Sequence, residues 1–237
     1  MSHAAAEKAE EFRLDITPSE HVTVRAYRAA PDAHADVNLI LAHGAGGNQT
    51  SSFMVRFATA LAVRGIQTLT FNFVYSEERR RVPDRNDKLE NCYRTVLDAA
   101  CAGKFDMDGH RRKLVIGGKS MGGRIASQVA AAGHDGVTGL VFLGYPLHPP
   151  GRPDKLRSKH LPDIRVPMLF VQGSRDAFGT PDELRPIIGQ LKGLADLCVV
   201  EDGDHSFKVA KRSGRWQDQV YDFVLDEIIR WLRRNFD

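Results

Sequence analysis

Residues 113–124 read KLVIGGKSMGGR, and two motifs overlap in them. Gly118-Lys119-Ser120 has the ending of a phosphate-binding loop, which would put Ser120 on a magnesium ion. Gly118-Lys119-Ser120-Met121-Gly122 is also the G-x-S-x-G of a nucleophile elbow, which would aim Ser120 at a carbonyl carbon. A phosphate loop requires a glycine at position 113. That position is Lys113, and Leu114-Val115-Ile116 continue a strand rather than a loop. The elbow fits: an apolar run feeds Gly118, and helical spacing begins at Ser120. A strand-to-helix turn this tight crowds the positions two before and two after the serine, and Gly118 and Gly122 occupy both. The turn lifts the Ser120 hydroxyl above the sheet edge and leaves the Met121 N–H at a helix N-terminus, where negative charge is favoured. The plainer reading is that Ser120 only caps the following helix.

A serine hydroxyl is a poor nucleophile until an imidazole accepts its proton and a carboxylate orients that imidazole. Partners follow in the order serine, acid, histidine. Asp176 lies in GSRDAFG (173–179), just past the apolar run 166–172, and His205 lies in EDGDHSF (201–207), just past 197–201. Asp182 is a rival acid, but Thr180-Pro181-Asp182-Glu183 already explains it as a helix start with a Thr cap, Pro at N1 and Glu at N3. Asp202 and Asp204 are too close to His205 along the chain. A fourth part, His43-Gly44-Ala45-Gly46-Gly47, follows the apolar run VNLILA (37–42). It fails as a dinucleotide fingerprint, because position 49 is Gln rather than Gly. It suits a loop whose backbone N–H at Ala45 joins that of Met121 as a pair of oxyanion donors, with Gly44 and Gly46 letting the chain bend. His43 reads as a brace for this loop rather than a base. His43, Tyr145 and His148 are candidates for lining the pocket.

The bulk numbers narrow the classes. A length of 237 residues, 42% hydrophobic and 27% charged, suits one large α/β domain. A net charge of +3 is too small a bias to argue for nucleic acid as a partner. Cys92, Cys101 and Cys198 are an odd, scattered set, which makes neither a disulfide framework nor a metal cluster and fits a reducing cytoplasm. MSHAAAEKAEEFR shows no apolar leader, and no run approaches the roughly 18 apolar residues that span a bilayer. The expectation is no metal, no cofactor, no membrane and no nucleic acid, with a small-molecule or acylated substrate and an open oligomeric state.

Short β-like runs alternate with helical patterns. Strands are expected at 22–28, 37–42, 66–73, 113–117, 139–144, 166–172 and 197–201. Helices are expected at 52–64, at 87–101 with Asn86 as N-cap, at 120–133, from Thr180, and at 216–234 with Val220, Phe223, Val224, Ile228, Trp231 and Leu232 on one face. This is the pattern of a mostly parallel, doubly wound sheet with helices on both faces. Residues 1–20 read as an N-terminal segment, flexible at its start, and 21–237 as a single domain. Residues 144–165 carry Pro146, Pro149, Pro150, Pro153 and Pro162, a rigid connection rather than a large cap domain. The charge runs 77–81 and 208–215 read first as solvated loops. The sharper reading makes Arg79 and Lys211 a cationic rim that selects an anionic substrate.

Taken together, HGAGG (43–47), GGKSMGGR (117–124), GYPLHPPGRP (144–153), GSRDAFG (173–179) and GDHSF (203–207) resemble the α/β-hydrolase superfamily of the dienelactone-hydrolase-like kind. Within it the chain looks closest to the testis-expressed and non-specific-lethal-complex hydrolase-like proteins. The resemblance implies an α/β-hydrolase fold without a large cap, with the nucleophile at Ser120, the acid at Asp176 and the base at His205. Dienelactone hydrolases carry cysteine at the nucleophile position, so that substrate is not implied here. Two functions remain in view: a serine hydrolase cleaving an ester or thioester, and a non-catalytic interaction module on the same fold.

Overall fold

A computed structural model describes residues 9–29, 37–105 and 112–236. Among them the strands are β1 (Glu10–Thr17), β2 (Glu20–Tyr27), β3 (Val37–Ala42), β4 (Gln67–Phe71), β5 (Lys113–Lys119), β6 (Val137–Leu143), β7 (Met168–Gly173) and β8 (Ala195–Val200). They form one eight-stranded sheet in the order β1-β2-β4-β3-β5-β6-β7-β8. Neighbours from β4 through β8 pair in parallel, while β1–β2 and β2–β4 pair antiparallel. The helices are α1 (Ser52–Val63), α2 (Val74–Glu77), α3 (Asn86–Cys101), α4 (Met121–Ala131), α5 (Pro181–Ile188) and α6 (Gln217–Phe236).

The central strands β3, β4 and β7 are buried at every position because both faces are covered. Along β3, Val37, Leu39 and Leu41 enter a core shared with Met54 and Phe57 of α1 and Val224, Ile228 and Trp231 of α6. Ile40 and Ala42 enter the opposite core, with Leu89, Tyr93 and Val96 of α3 and Ile125 and Val129 of α4. The same parity runs through β5, β6 and β7. Each such aliphatic side chain contributes about 1.5–3 kcal/mol by leaving water, so the sheet is held equally from both sides.

Most of the expected elements are present, with four differences. Residues 10–17, expected in an N-terminal segment outside the domain, pair with β2 as an edge hairpin; residues 1–8 lie outside the described residues. Asn86 opens α3 as its first residue instead of capping it, and its side-chain oxygen accepts from Arg124 at 3.0 Å. Phe223 is 39% exposed, and Tyr221, Leu225 and Ile229 complete the buried face of α6 in its place. The run after β4 turns into the short α2. Residues 144–167 hold only a 3₁₀ turn at Leu161–Asp163, so no helical cap covers the sheet edge.

From β3 the chain goes to β4 on one side and then, through α3, to β5 on the other. The carboxyl ends of β3 and β5 therefore flank the point where the winding reverses, the place where open α/β sheets form crevices. The glycine loop leaves β3 there and the elbow leaves β5. A Cβ at Gly118, where φ is +156°, would lie 2.3 Å from the Ala42 carbonyl oxygen, and one at Gly122 would lie 2.3 Å from the same atom. Gly122→Ala therefore forces the elbow off β3. It should lower the unfolding free energy by about 1–3 kcal/mol or more, measured as a fall in the urea midpoint at unchanged m-value.

Candidate functional site

Ser120 has φ +52° and ψ −116°, a conformation that costs a non-glycine residue about 1–3 kcal/mol. Its backbone is pinned, since the Ser120 N–H donates to the Leu143 carbonyl at 3.1 Å. Its side chain makes no cap bond to α4 although it stands at the cap position. The hydroxyl instead meets His205 Nε2 at 2.8 Å, and His205 Nδ1 meets Asp176 Oδ2 at 2.7 Å. Ser120, Asp176 and His205, which lie 85 and 29 residues apart, thus form one hydrogen-bonded chain.

Asp176 is 1% exposed, and three donors satisfy its carboxylate. The Phe178 N–H donates to Oδ1 at 2.8 Å, while Gln172 Nε2 and the His205 ring N–H reach Oδ2. Gln172 is buried in β7. Its amide group also accepts from the Tyr145 N–H at 2.8 Å and donates to the Gly179 carbonyl at 2.7 Å. One glutamine therefore fixes both the acid and the loop that carries it. The Phe178 ring stacks on the His205 imidazole, with centroids 4.2 Å apart and planes at 30°.

Lys119, the residue before the serine, faces the α1 side of the sheet. Its ammonium donates to the His205 carbonyl and lies 5.9 Å from the Phe53 ring centroid. Burial holds its pKa down to about 8, against the opposing pull of Asp176 and Asp204. His43 directly follows β3. Its Nδ1 sits 2.8 Å from the Gly44 carbonyl, and its Nε2 accepts the Phe73 N–H at 3.2 Å. This pair of partners suits a neutral ring, and burial lowers the pKa to about 4 even though the Gly44 contact raises it. In the glycine loop, the Gly46 N–H donates to the Tyr75 hydroxyl and the Gly47 N–H to the Gly44 carbonyl. Among the described residues, no protein acceptor meets the N–H of Ala45 or Met121.

These groups open onto a cavity of about 710 Å³ lined by Ser120, His205, Ala45, Met121, Phe53 and Arg124, among others. Tyr145 and His148, expected as lining candidates, are not part of the wall. Tyr145 is fully buried and donates to the Arg157 carbonyl, and His148 is tied to the Pro149 carbonyl and Glu183. Glu183 is also N3 of the expected capping box at Thr180. Arg79 and Lys211 are exposed and do not line the cavity either. The run around Arg79 is instead tied together by Arg80, which pairs with Glu78 and Asp84. Gln172 and Phe178 carry no signal in the sequence, because an isolated buried glutamine and a loop phenylalanine have no spacing pattern, and Lys119 is visible there only through the rejected phosphate-loop reading. Among the described residues no group of His, Cys, Asp and Glu side chains is arranged to hold a metal ion.

The sequence profile of the alpha/beta hydrolase domain matches residues 35–233. The chain belongs to the α/β-hydrolase family. Its fold is also that of an α/β serine hydrolase without a lid from Xanthomonas campestris, at 22% identity over 95% of each chain with a TM-score of 0.72. A dienelactone hydrolase from Anabaena variabilis superposes at a TM-score of 0.72, with 19% identity over 98% of this chain and 100% of that one. An esterase from Pyrococcus furiosus does so at 0.70, with 14% identity over 97% and 92%. This α/β-hydrolase has no helix among its described residues long and apolar enough to cross a membrane.

Lys119 gives the hydrolase a measurable signature. Its ordinary pKa of 10.5 applies to the unfolded chain and about 8 to the folded one. Between those values the unfolded state binds more protons at this position, so stability rises with pH across the window. In paired urea titrations, wild type should gain on Lys119→Met as pH goes from 8 to 10.5. A difference that stays flat would mean the ammonium is not desolvated.

Proposed function

We propose that this hydrolase is a serine esterase or thioesterase working through an acyl-enzyme on Ser120. The observation that carries the reading is the unbroken chain from Ser120 Oγ to His205 to Asp176, with the serine diverted from capping its helix. Ser120 Oγ attacks the acyl carbon while His205 Nε2 takes its proton. Asp176 holds the ring through Nδ1 and stabilises the imidazolium. The developing oxyanion is met by the N–H groups of Ala45 and Met121, each worth about 3 kcal/mol in the transition state. Support for Ala45 comes from its neighbours: the Gly46 and Gly47 N–H groups are already spent on Tyr75 and Gly44. His205 then protonates the leaving alcohol or thiol, and as base it draws a proton from the water that frees the acyl group.

Two further assignments belong to the same reading. GYPLHPPGRP at 144–153 supports placing the chain beside the testis-expressed and non-specific-lethal-complex hydrolase-like proteins. Three free cysteines, with Cys92 and Cys198 both raised to about 12 by burial, favour structural thiols in a reducing cytoplasm over reactive ones.

A fluorophosphonate probe should label wild type and leave Ser120→Ala unlabelled. Asp176→Asn should keep the fold and lose about 10³–10⁴ in kcat. Hydrolysis of an acyl-chain panel by purified protein checks both. A folded protein that neither labels nor hydrolyses any member would instead be an interaction module. Gln172→Leu removes one donor to Asp176 and should lower kcat about tenfold with KM held within about twofold, because the acid is displaced rather than removed.

A further inference from the structure

Beyond the serine and its partners, the cavity wall carries two arginines. Arg124 stands one turn along α4 from Ser120, and Arg157 comes from the proline-rich segment after β6. The Arg124 guanidinium donates to the side-chain oxygens of Asn86 and Gln128, both at 3.0 Å. Both acceptors are neutral amides, and the nearest help for its charge is Glu90, which acts through space without a direct ion pair. The Arg157 guanidinium has no hydrogen-bond or ion-pair partner among the described residues. Its backbone, by contrast, is held at both ends: the N–H donates to the Leu147 carbonyl at 2.8 Å, and its carbonyl accepts from the buried Tyr145 hydroxyl at 2.8 Å. The chain spends buried hydrogen bonds on placing this residue and then leaves its charge unanswered.

Several other arginines are answered by acids. Arg25, Arg28, Arg56, Arg64 and Arg80 all pair with carboxylates. The cavity does have one acid in its wall, Asp84, but that group is committed, accepting from Arg80 at 2.7 Å and from the Tyr75 N–H at 3.0 Å. Both arginines are only partly exposed to water. Arg124 has its pKa lowered first by burial and then by repulsion from Arg157, so the two charges sense each other. Two half-buried guanidinium groups that face one cavity without a direct ion-pair partner repel each other at some cost. A planar oxyanion that both forks can reach relieves that cost.

We propose that Arg124 and Arg157 form a carboxylate subsite, so that the substrate of Ser120 bears a carboxylate a short chain away from its scissile ester. The proposal rests on the hydrolase reading and narrows its substrate class. One helical turn separates Ser120 from Arg124, a rise of about 6 Å, which sets the carboxylate apart from the reacting carbonyl. The walls differ in character. On the side facing α3 and the proline-rich segment they offer the guanidinium pair, and on the side facing α1 they offer Phe53 and Met54. An ester with one anionic and one apolar half matches both. This subsite is made of residues inside the cavity and not of the exposed charge runs at 77–81 and 208–215.

The test compares matched esters on the full chain. In one arm, mono-4-nitrophenyl glutarate is set against 4-nitrophenyl valerate, placing the charge on the acyl side. In the other, 4-(carboxymethyl)phenyl acetate is set against 4-ethylphenyl acetate, placing it on the leaving group. Wild type should prefer the anionic ester at least tenfold in kcat/KM in one arm, which identifies the side. Arg157→Glu should lower that ratio at least tenfold, with Arg157→Gln between. Arg157 is the residue to change because Arg124 also ties α4 to Asn86, and the ratio within one variant cancels any general loss of activity. A ratio near one in both arms, while neutral esters are hydrolysed, overturns the subsite and leaves the hydrolase reading standing. A binding titration of Ser120→Ala with monomethyl glutarate separates the two claims. Kd should weaken at least tenfold when Arg157→Glu is added, whether or not the wild type turns over any ester, and equal binding overturns the proposal.

Discussion

The close approach of two glycines to one carbonyl is the contact on which the site depends. Gly118 and Gly122 bracket Ser120, and both lie against Ala42 at the end of β3, where neither has room for a methyl group. That approach brings the elbow of β5 and the glycine loop of β3 to the same spot at the reversal of the sheet. Ser120 then sits at a positive φ that it would not adopt alone, with its N–H fixed to Leu143. The strain is local, and the burial of both sheet faces by α1, α6, α3 and α4 outweighs it.

Charge is distributed around this point with a clear division. Groups that position others are satisfied inside the protein. His43 has partners that suit a neutral ring, Asp176 has three donors, and Lys119 is desolvated against the His205 carbonyl. Groups that face the cavity are left with spare capacity: the Ser120 hydroxyl, the N–H of Ala45 and Met121, and the guanidinium groups of Arg124 and Arg157.

Much of the architecture was legible because its causes are local. Continuous apolar runs bounded by glycine or proline read as strands covered on both faces, and β3, β5 and β7 are such strands. Ser120, Asp176 and His205 were legible because each follows a strand and because the chemistry prescribes their order. The edge hairpin at β1 escapes a reading that treats residues 1–20 as a separate segment; its Phe12, Leu14 and Ile16 alternate onto the core while the strand pairs with β2. Phe223 was assigned to the wrong face of α6, since helical spacing alone does not say which of two adjacent stripes meets the sheet. Tyr145 and His148 were placed in the pocket by their nearness in sequence to β6, but a proline-rich segment turns sharply enough to bury both.

The sequence by itself determined the order of strands and helices, the tight turn at Ser120 and the identities of an acid and a histidine near strand ends. These follow from periodicity, glycine geometry and turn chemistry, which act over a few residues. Only the tertiary structure decided that Gln172 holds the acid, that Lys119 is buried under His205, and that the arginines facing the cavity are Arg124 and Arg157 rather than those of the charge runs. Such facts depend on which residues far apart in sequence come within hydrogen-bond reach. That is set by sheet order and by the path of residues 144–167, for which no local pattern exists.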